Sequence, residues 1–273
     1  IAITTALLAA GLPAGAPEAT PSICCFAVLG AINLAGMHAA IADVAADDYN
    51  LTPATATGQM ESGPGAVLAV HSYGRRCDME GFEALCRERN WTLIEDACLS
   101  LGARGTGMHG DLSVFSFGYD KIVDAGGGGA VLTGSPDLYE RVSRLVKSNP
   151  FFAFPPEFLE PALAGMNTLE ENRKQRADHT VYYDQHLMNS LARKPALTAD
   201  PACWRYSFCF QGDRDALVEQ ARAKGVILTT HYKALHELRT GPDLPEASRI
   251  ARQVVNLFVK PGTDRGYMRD AVA

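Results

Sequence analysis

The chain has 273 residues, of which 47% are hydrophobic, and a formal net charge of -6. That length is enough for one large core or for two modest domains. The mild acidity argues against nucleic acid or an anionic membrane as the main partner. No apolar run approaches the length needed to span a bilayer, so we expect no membrane-spanning segment.

Seven cysteines are scattered along the chain, and no two of them form a Cys-x-x-Cys pair. Their odd number and their spacing favour buried free thiols over disulfides or a zinc site. Free thiols are typical of reducing compartments, so we expect the protein in the cytoplasm. The cysteines occupy positions 24, 25, 77, 86, 98, 203 and 209.

The first eleven residues form a short apolar run with no basic region before it. Ala14, Gly15 and Ala16 are similar to a cleavage site, so a signal peptide is one interpretation of the run. A core helix that ends at Gly11 is the other interpretation. We favour the core helix, because the positively charged region that precedes the apolar part of a signal peptide is missing here.

The middle of the chain predicts one strand–helix–strand unit of a parallel sheet. Residues 66–71 are continuously apolar, as in a strand that is covered on both faces. A helix is predicted from Met79 with Asp78 as its N-cap, and residues 92–94 form the next strand. Asp96 then lies at the carboxyl end of that strand, where open α/β sheets bind their ligands.

Two further strands are predicted on either side of a turn that contains Lys121. They cover residues 113–117 and 129–133. A helix over 137–146 follows, opened by a Ser-Pro pair. The next segment, 148–162, is rich in proline and phenylalanine and predicts a loop or linker.

The last hundred residues predict a smaller α+β layer. Residues 169–193 are helical, and we interpret their basic side chains, Arg176 among them, as a solvated face without function. The later strands and helices alternate, at 206–210, 214–224, 226–230 and 246–257. We therefore expect two domains, a large one over 1–165 and a smaller one over 166–273.

Three residues occur in the order in which a pyridoxal phosphate (PLP) enzyme presents its cofactor groups. The PLP aldehyde needs a lysine amine, its ring nitrogen needs an anion that keeps it protonated, and its phosphate needs hydroxyl donors. Lys121, Asp96 and Ser116 are the candidates for these three roles, and Lys121 is also the candidate proton shuttle. Each residue alone has an ordinary structural explanation, but their ordered combination favours a cofactor site.

The stretch from about Val67 to Val146 resembles the DegT/DnrJ/EryC1/StrS family of PLP-dependent sugar aminotransferases. The matching segments are 70–74, 94–97, 101–103, 110–111, 115–121 and 128–131. A weaker resemblance covers most of the remaining chain, through the segments 165–167, 230–236, 243–247 and 261–262.

This resemblance implies a fold-type I α/β protein, with a mostly parallel sheet flanked by helices and a smaller C-terminal α+β domain. The implied activity is transfer of an amino group, usually from glutamate, to a keto-sugar linked to a nucleotide. Retention of Lys121 favours the aminotransferases over the dehydratase branch, which has histidine there. A homodimer is also implied, in which Asn167 reaches the cofactor phosphate of the partner subunit. By the same resemblance, His231 and Tyr232 lie near the substrate.

Several positions depart from the family pattern, and all of them lie around the expected cofactor site. The family's phosphate-binding Ser-Gly-Thr would fall just before Ile1. Cys25 occupies the place of an aromatic residue that stacks on the ring, and Phe26 comes one residue late, on the other face of a strand. Leu99 replaces a histidine or glutamine, and the Arg-x-Ser after Asn167 is deleted.

Two alternatives to an active aminotransferase follow from these residues. The departures favour a relative that binds cofactor weakly, or not at all, and serves as a partner subunit. A nicotinamide-dependent oxidoreductase using the glycines at 126–129 is disfavoured. These glycines lead into a strand, whereas pyrophosphate binding needs the N-terminus of a helix after them.

His179 and His186 lie seven residues apart without a nearby carboxylate pattern that would complete a ligand set, so we expect no metal site. Trp204 favours packing at a strand edge over nucleotide stacking.

Overall fold

The computed structural model describes residues 1–200, 202–238 and 241–272. A six-stranded sheet consists of β1 (Pro17–Pro21), β2 (His38–Ala42), β3 (Ala66–Val70), β4 (Thr92–Asp96), β5 (Leu112–Ser116) and β6 (Gly129–Leu132). The strand order is β2-β1-β3-β4-β5-β6. The first five strands are parallel, and β6 is antiparallel to β5. The predicted mostly parallel α/β sheet is confirmed.

Helices cover both faces of this sheet. The N-terminal half contains α1 (Ala2–Ala10), α2 (Ala27–Leu34), α3 (Pro53–Thr57), α4 (Met79–Arg89) and α5 (Pro136–Ser148). One core packs α1, α2 and α5 against one sheet face, and a second core packs α3 and α4 against the other. Strand β3 is buried at all five positions, and its side chains alternate between these cores.

Local signals in the sequence account for the ends of these helices. Gly11 ends α1 in a left-handed conformation with φ 69°, as predicted for a core helix. The Asp78 side chain accepts a hydrogen bond from the Gly81 amide and caps α4, which Asn90 ends with φ 55°. The Ser135 side chain caps α5 in the same way.

The C-terminal part adds helices α6 (Leu159–Asn167), α7 (Leu169–His186), α8 (Arg214–Ala223), α9 (Pro245–Gln253) and α10 (Arg265–Val272). Its antiparallel sheet has the order β7 (Ala192–Arg193), β8 (Arg205–Phe210) and β9 (Val254–Phe258). A third core joins this sheet to α7 and α10, while α9 packs on the first core. The boundary between domains at 165 and 166 stays a prediction. Within the described ranges, no helix is both long and apolar enough to cross a bilayer.

Four predicted elements differ from the structure. The predicted helix 169–193 ends at His186, and residues 192 and 193 form β7, which pairs with β8. The segment 148–162 is not all loop, because α6 begins at Leu159. The predicted strand 226–230 is absent, since its only ladder contact with β9 is a single bridge between Thr229 and Asn256. The predicted helix 246–257 ends at Gln253, and the residues after it form β9. Pairing of β9 with β8 at five positions outweighs the local helical pattern there.

Candidate active site

Asp96, Ser116 and Lys121 come together at the carboxyl edge of the main sheet. Asp96 ends β4 and Ser116 ends β5, and Lys121 lies in the turn that follows β5. All three line one cavity of about 690 Å³. The chain therefore places an anion, a hydroxyl and an amine around a single space, because parallel strands direct their carboxyl ends to the same edge.

Asp96 is fixed between two neighbouring strands and is almost fully buried. It pairs with Val70 in β3 and with Val114 in β5. Its Oδ1 atom accepts a hydrogen bond from the Cys98 amide at 3.0 Å, and 5% of the residue is exposed. A carboxylate in such a setting is well placed to pair with a cation that enters the cavity.

A closed turn holds the backbone of Lys121. The Ala125 amide donates to the Phe117 carbonyl at 2.9 Å, which joins the two ends of the turn. The Asp124 carboxylate accepts from the Asp120 amide at 2.8 Å and from the Gly126 amide at 3.0 Å. The turn is therefore defined by its own hydrogen bonds before any ligand binds.

Two hydroxyls line the cavity beside the carboxylate and the amine. Ser116 Oγ accepts from the Gly118 amide at 3.3 Å. Ser72 is buried, and its Oγ has no hydrogen-bond partner among the described residues. A buried hydroxyl without a partner is costly unless a ligand satisfies it. Sequence reasoning included Ser72 only as part of the segment 70–74, so its role was missed.

Of the two residues predicted near the substrate, the structure brings only Tyr232 to the cavity. Tyr232 lines it and stacks on Trp204, with ring centroids 6.2 Å apart and planes 13° apart. Burial raises the pKa of Tyr232 well above its ordinary value. His231 is exposed and does not line the cavity. Trp204 itself is buried, as its predicted packing role requires.

A model of the DegT/DnrJ/EryC1/StrS aminotransferase family matches residues 1–149, which is more than half of the chain. The chain belongs to this family. The resemblance drawn from the segments around Asp96 and Lys121 is therefore confirmed. Members of this family are PLP-dependent transferases, so PLP is the cofactor that the cavity has to fit.

Individual relatives match different lengths of this family member. The GDP-perosamine synthase of Escherichia coli O157:H7 is 31% identical over 145 residues, which are 52% of this chain and 40% of that protein. The dTDP-3-amino-3,6-dideoxy-alpha-D-galactopyranose transaminase of Aneurinibacillus thermoaerophilus is 26% identical over 288 residues, which are 97% of this chain and 79% of that protein. The structure of NtdA from Bacillus subtilis with bound cofactor PMP has a TM-score of 0.89 at 21% identity, and the match covers 99% of this chain and 69% of that chain.

The donor set in this cavity fits PLP. A buried carboxylate, an amine and two hydroxyls are the groups that the ring nitrogen, the aldehyde and the phosphate require. The orphan hydroxyl of Ser72 is the structural sign that a polar ligand belongs here. Gly128 has φ 87°, and a Cβ atom there would lie 2.5 Å from the Phe154 ring, so a side chain at this position would displace part of the cavity wall.

The positions that depart from the family pattern also line the cavity. Cys25 and Leu99 both face it, whereas Phe26 is 73% exposed and does not line it. The expected one-residue shift therefore removes the aromatic side chain from this side. Aromatic side chains enter instead from the segment predicted as a linker, where Phe152 and Phe154 form part of the wall. Sequence periodicity does not indicate this wall, because residues 149–158 form only two three-residue 3-10 turns, which are too short to show a period.

Asn167 and the two helical histidines lie away from the cavity. Asn167 is exposed at the end of α6 and does not line the cavity of its own chain. His179 Nδ1 is 3.1 Å from the Val259 carbonyl oxygen, and His186 stacks on Tyr182. Among residues 1–200, 202–238 and 241–272, no three His, Cys, Asp or Glu side chains form a group that could hold a metal ion.

A buried histidine–carboxylate pair supports the strand that carries Asp96. His71 Nδ1 accepts from the Cys77 amide, so its Nε2–H donates to Glu95 Oε1 at 2.8 Å. Burial raises the pKa of Glu95, but hydrogen bonds from His71 and from the Gly107 and His109 amides outweigh burial and hold that pKa below its ordinary value. Glu95 therefore ties the 107–109 loop to β4, next to the cavity.

One buried carboxyl has no such support. Glu18 lies in β1 with none of its surface exposed, and neither of its side-chain oxygens has a hydrogen-bond partner among the described residues. Burial raises the pKa of Glu18 to about 8; the nearby Leu68 backbone amide opposes this rise in part, and the charge of Asp96 adds to it. Glu18 is therefore mostly neutral at neutral pH.

Proposed function

We propose that the protein transfers an amino group from an amino acid, expected to be glutamate, to a keto-sugar linked to a nucleotide. The observation that carries this proposal is the convergence of Asp96, Ser116 and Lys121 on one cavity. Family membership and relatives named as a GDP-perosamine synthase and a dTDP-aminosugar transaminase support the substrate class. In the net reaction the sugar C=O becomes CH–NH₂ and glutamate becomes 2-oxoglutarate.

Each polar residue of the cavity has a distinct task in this proposal. PLP, when bound, supplies an aldehyde that takes up the amino group and a ring that withdraws electrons from the reacting carbon. Asp96 holds the proton on the ring nitrogen, because the buried carboxylate favours a cation beside it. Ser116 and Ser72 donate hydrogen bonds to the phosphate, which satisfies the orphan hydroxyl of Ser72.

Lys121 has two tasks, which follow one another. With PLP bound, its amine would hold the cofactor in the cavity, and once substrate replaces it there the free Nζ would take up and return the proton of the reacting carbon. Phe152 and Phe154 give the cavity an apolar wall, which helps to exclude water while the proton is held. Tyr232, stacked on Trp204, supports the substrate from the C-terminal side.

A homodimer is part of the same proposal. Asn167 is exposed and lies outside the cavity of its own chain, which suits a residue that serves the partner's cofactor site. The same helix exposes three large apolar side chains, with Leu159 at 51%, Leu163 at 58% and Met166 at 43%. Exposed apolar groups in one helix support a protein contact. A monomer at all protein concentrations in sedimentation velocity would contradict the homodimer.

We propose the cytoplasm as the location, because all seven cysteines are free.

A second candidate is a relative that keeps the fold without turnover and acts as a partner subunit. Cys25 and Leu99 favour it, because both line the cavity where the family has ring-contacting side chains. This candidate predicts cofactor binding that is weak or absent and no transfer of nitrogen to any keto-sugar.

Nitrogen transfer distinguishes these candidates. The purified chain is incubated with PLP, ¹⁵N-glutamate and a panel of nucleotide-linked keto-sugars, and the products are analysed by mass spectrometry. The proposal predicts a ¹⁵N-labelled amino sugar and one 2-oxoglutarate per amino sugar. Lys121→Ala must abolish both products, whereas Lys147→Ala, at an exposed position on α5, must not. Labelled product from the Lys121→Ala chain, or none from the unaltered chain, contradicts the proposal.

A further inference from the structure

Both neighbours of Lys121 in the chain are held by residues from the C-terminal part. The Asp120 carbonyl accepts from Trp204 Nε1 at 2.6 Å, and the Asp120 carboxylate accepts from Arg205. On the other side, the Ile122 carbonyl accepts from Asn172 Nδ2 at 2.7 Å. The backbone around the reactive amine is therefore held from outside the turn as well as by the turn's own hydrogen bonds.

Arg176 links these two sets of contacts. Its Nε donates to Asn172 Oδ1 at 2.7 Å, and its Nη1 donates to the Trp204 carbonyl at 3.1 Å. Only 3% of Arg176 is exposed, so the expectation that it belongs to a solvated face is wrong. These hydrogen bonds form one connected network that contacts the turn on both sides of Lys121. We call it the lysine clamp, consisting of Asp120, Asn172, Arg176, Trp204 and Arg205.

Arg205 is a rigid anchor for the clamp. It is the first residue of β8 and pairs in register with Phe258 of β9. Its guanidinium carbon lies 4.7 Å from the centroid of the Trp204 ring and 3.7 Å from that of Phe258. A guanidinium held between two rings and paired with a carboxylate loses most of its freedom.

Asp120 adopts a backbone conformation that needs outside support. Its φ is 63°, in the left-handed region, where residues other than glycine are uncommon although aspartate tolerates it better than most. Loss of the contacts at Asp120 lets this residue return to a commoner conformation. Because Lys121 is the next residue, that change would move the Lys121 side chain relative to Asp96 and Ser116.

The geometry points to the lysine clamp as a positioning device, through which the C-terminal sheet sets where the Lys121 amine stands in the cavity. This inference rests on the proposed function for the role of that amine. None of the five clamp residues lines the cavity, so they act on the Lys121 turn without touching cofactor or substrate. Trp204 also stacks on Tyr232, which lines the cavity, so the test variants leave Trp204 unchanged. The clamp is therefore expected to affect the chemical step more than substrate binding.

The first test measures the clamp without any cofactor. Hydrogen exchange of the peptide over residues 117–126 is followed by mass spectrometry in the cofactor-free full chain and in the variants Asp120→Ala, which removes the acceptor for Arg205, Asn172→Ala and the two combined. Loss of one such hydrogen bond accelerates exchange of the turn by about 5- to 10-fold, and the double variant by more. Arg75→Lys is the matched control, because Arg75 is also buried and donates to Ala196 in the C-terminal part, away from the turn.

The second test measures the consequence for the amine. With PLP bound, the clamp variants are expected to lower kcat by about 10-fold, with the KM for keto-sugar within about twofold of the unaltered chain. The pH at which the absorption band of the lysine-attached cofactor titrates should shift in the clamp variants and stay unchanged in Arg75→Lys. A merely structural role would change the melting temperature and leave this titration as it is.

The outcomes separate the clamp from the proposed function. Faster exchange of the turn in the clamp variants alone, with the split between kcat and KM, supports the inference. Exchange at the same rate in the clamp variants and in Arg75→Lys overturns it, whatever the cofactor does. If the unaltered chain never attaches PLP at Lys121, the proposed function fails. In that case the positioning role fails with it, while exchange data alone decide whether the clamp holds the turn.

Discussion

The two sides of the cavity differ in how completely their polar groups are supported. On the side of β4 and β5, Asp96 and Ser116 each accept a backbone hydrogen bond, and Glu95 behind them accepts four hydrogen bonds. On the side of β1, Glu18, which does not itself line the cavity, is buried without a partner among the described residues, and the small side chain of Cys25 lines the cavity. The groups proposed to bind the cofactor therefore lie on the side whose polar atoms have hydrogen-bond partners.

The largest effect is expected at the supported side. Replacing Asp96 with Asn removes the anion beside the ring nitrogen, which should lower kcat by about 1,000-fold, since unpairing a buried charge costs about 3–5 kcal/mol. Steady-state kinetics with the best keto-sugar measures this loss. Asp78→Asn, at the exposed N-cap of α4, serves as the control. Activity of Asp96→Asn within tenfold of the unaltered chain would exclude Asp96 from this role.

The buried carboxyl of Glu18, on the side of β1, should make the free energy of unfolding depend on pH. The pKa of Glu18 is raised from 4.5 to about 8 in the fold. The folded state therefore binds a proton that the unfolded chain has lost, and stability falls as pH rises from about 4.5 to 8. Integrated over that window, the loss is about 3–5 kcal/mol.

Glu18→Gln should remove that part of the pH dependence. Urea unfolding at pH 5 and at pH 8.5 measures the change in the free energy of unfolding for both chains. We expect the unaltered chain to lose stability between the two pH values and Glu18→Gln to lose less by a few kcal/mol. Equal losses in the two chains would mean that Glu18 is ionised in the fold at pH 7.

Replacing Ser72 should have a smaller effect, on PLP affinity. Because its hydroxyl is buried without a partner in the cofactor-free chain, Ser72→Ala should raise the free energy of unfolding of that chain by about 1 kcal/mol. The same change should weaken PLP binding by about 10-fold, since one hydrogen bond to a charged phosphate is lost. Fluorescence titration with PLP measures this affinity. Ser100→Ala is the control, as Ser100 is also buried without a partner but does not line the cavity. Equal affinities in the two variants would count against Ser72.

The smallest expected effect is an increase in the affinity for PLP. Cys25→Phe should restore an aromatic contact with the cofactor ring and tighten PLP binding by about 2- to 10-fold, as expected for one aromatic pair. The change in Kd is measured in the same titration. Phe26→Ala should leave the affinity unaltered, because that side chain is 73% exposed outside the cavity. Weaker binding by Cys25→Phe would show that the altered side no longer has room for a ring.

Local patterns were sufficient for most of the fold and for the supported side of the site. Continuous apolar strands such as β3, and caps such as Asp78, act within a few residues, so the sequence alone indicates them. Asp96, Ser116 and Lys121 were recognised because their order along the chain follows from neighbouring strands.

Features that depend on distant contacts were not predictable in this way. Strand β9 follows a helical pattern and is fixed by pairing with β8. Arg176 looks like an exposed basic residue in sequence, yet it is buried because its partners, Asn172 and Trp204, meet only in the folded chain. The aromatic wall and the orphan hydroxyl of Ser72 likewise depend on which loop packs over the cavity.

The most direct test of the central claim is whether PLP attaches to Lys121. The purified chain is mixed with PLP, its absorption spectrum is recorded before and after borohydride, and the labelled peptide is mapped by mass spectrometry. The account predicts a visible band that borohydride removes, with the label on Lys121. No band, or a label spread over exposed lysines such as Lys147, would contradict the account and favour a member of the family that has lost its cofactor.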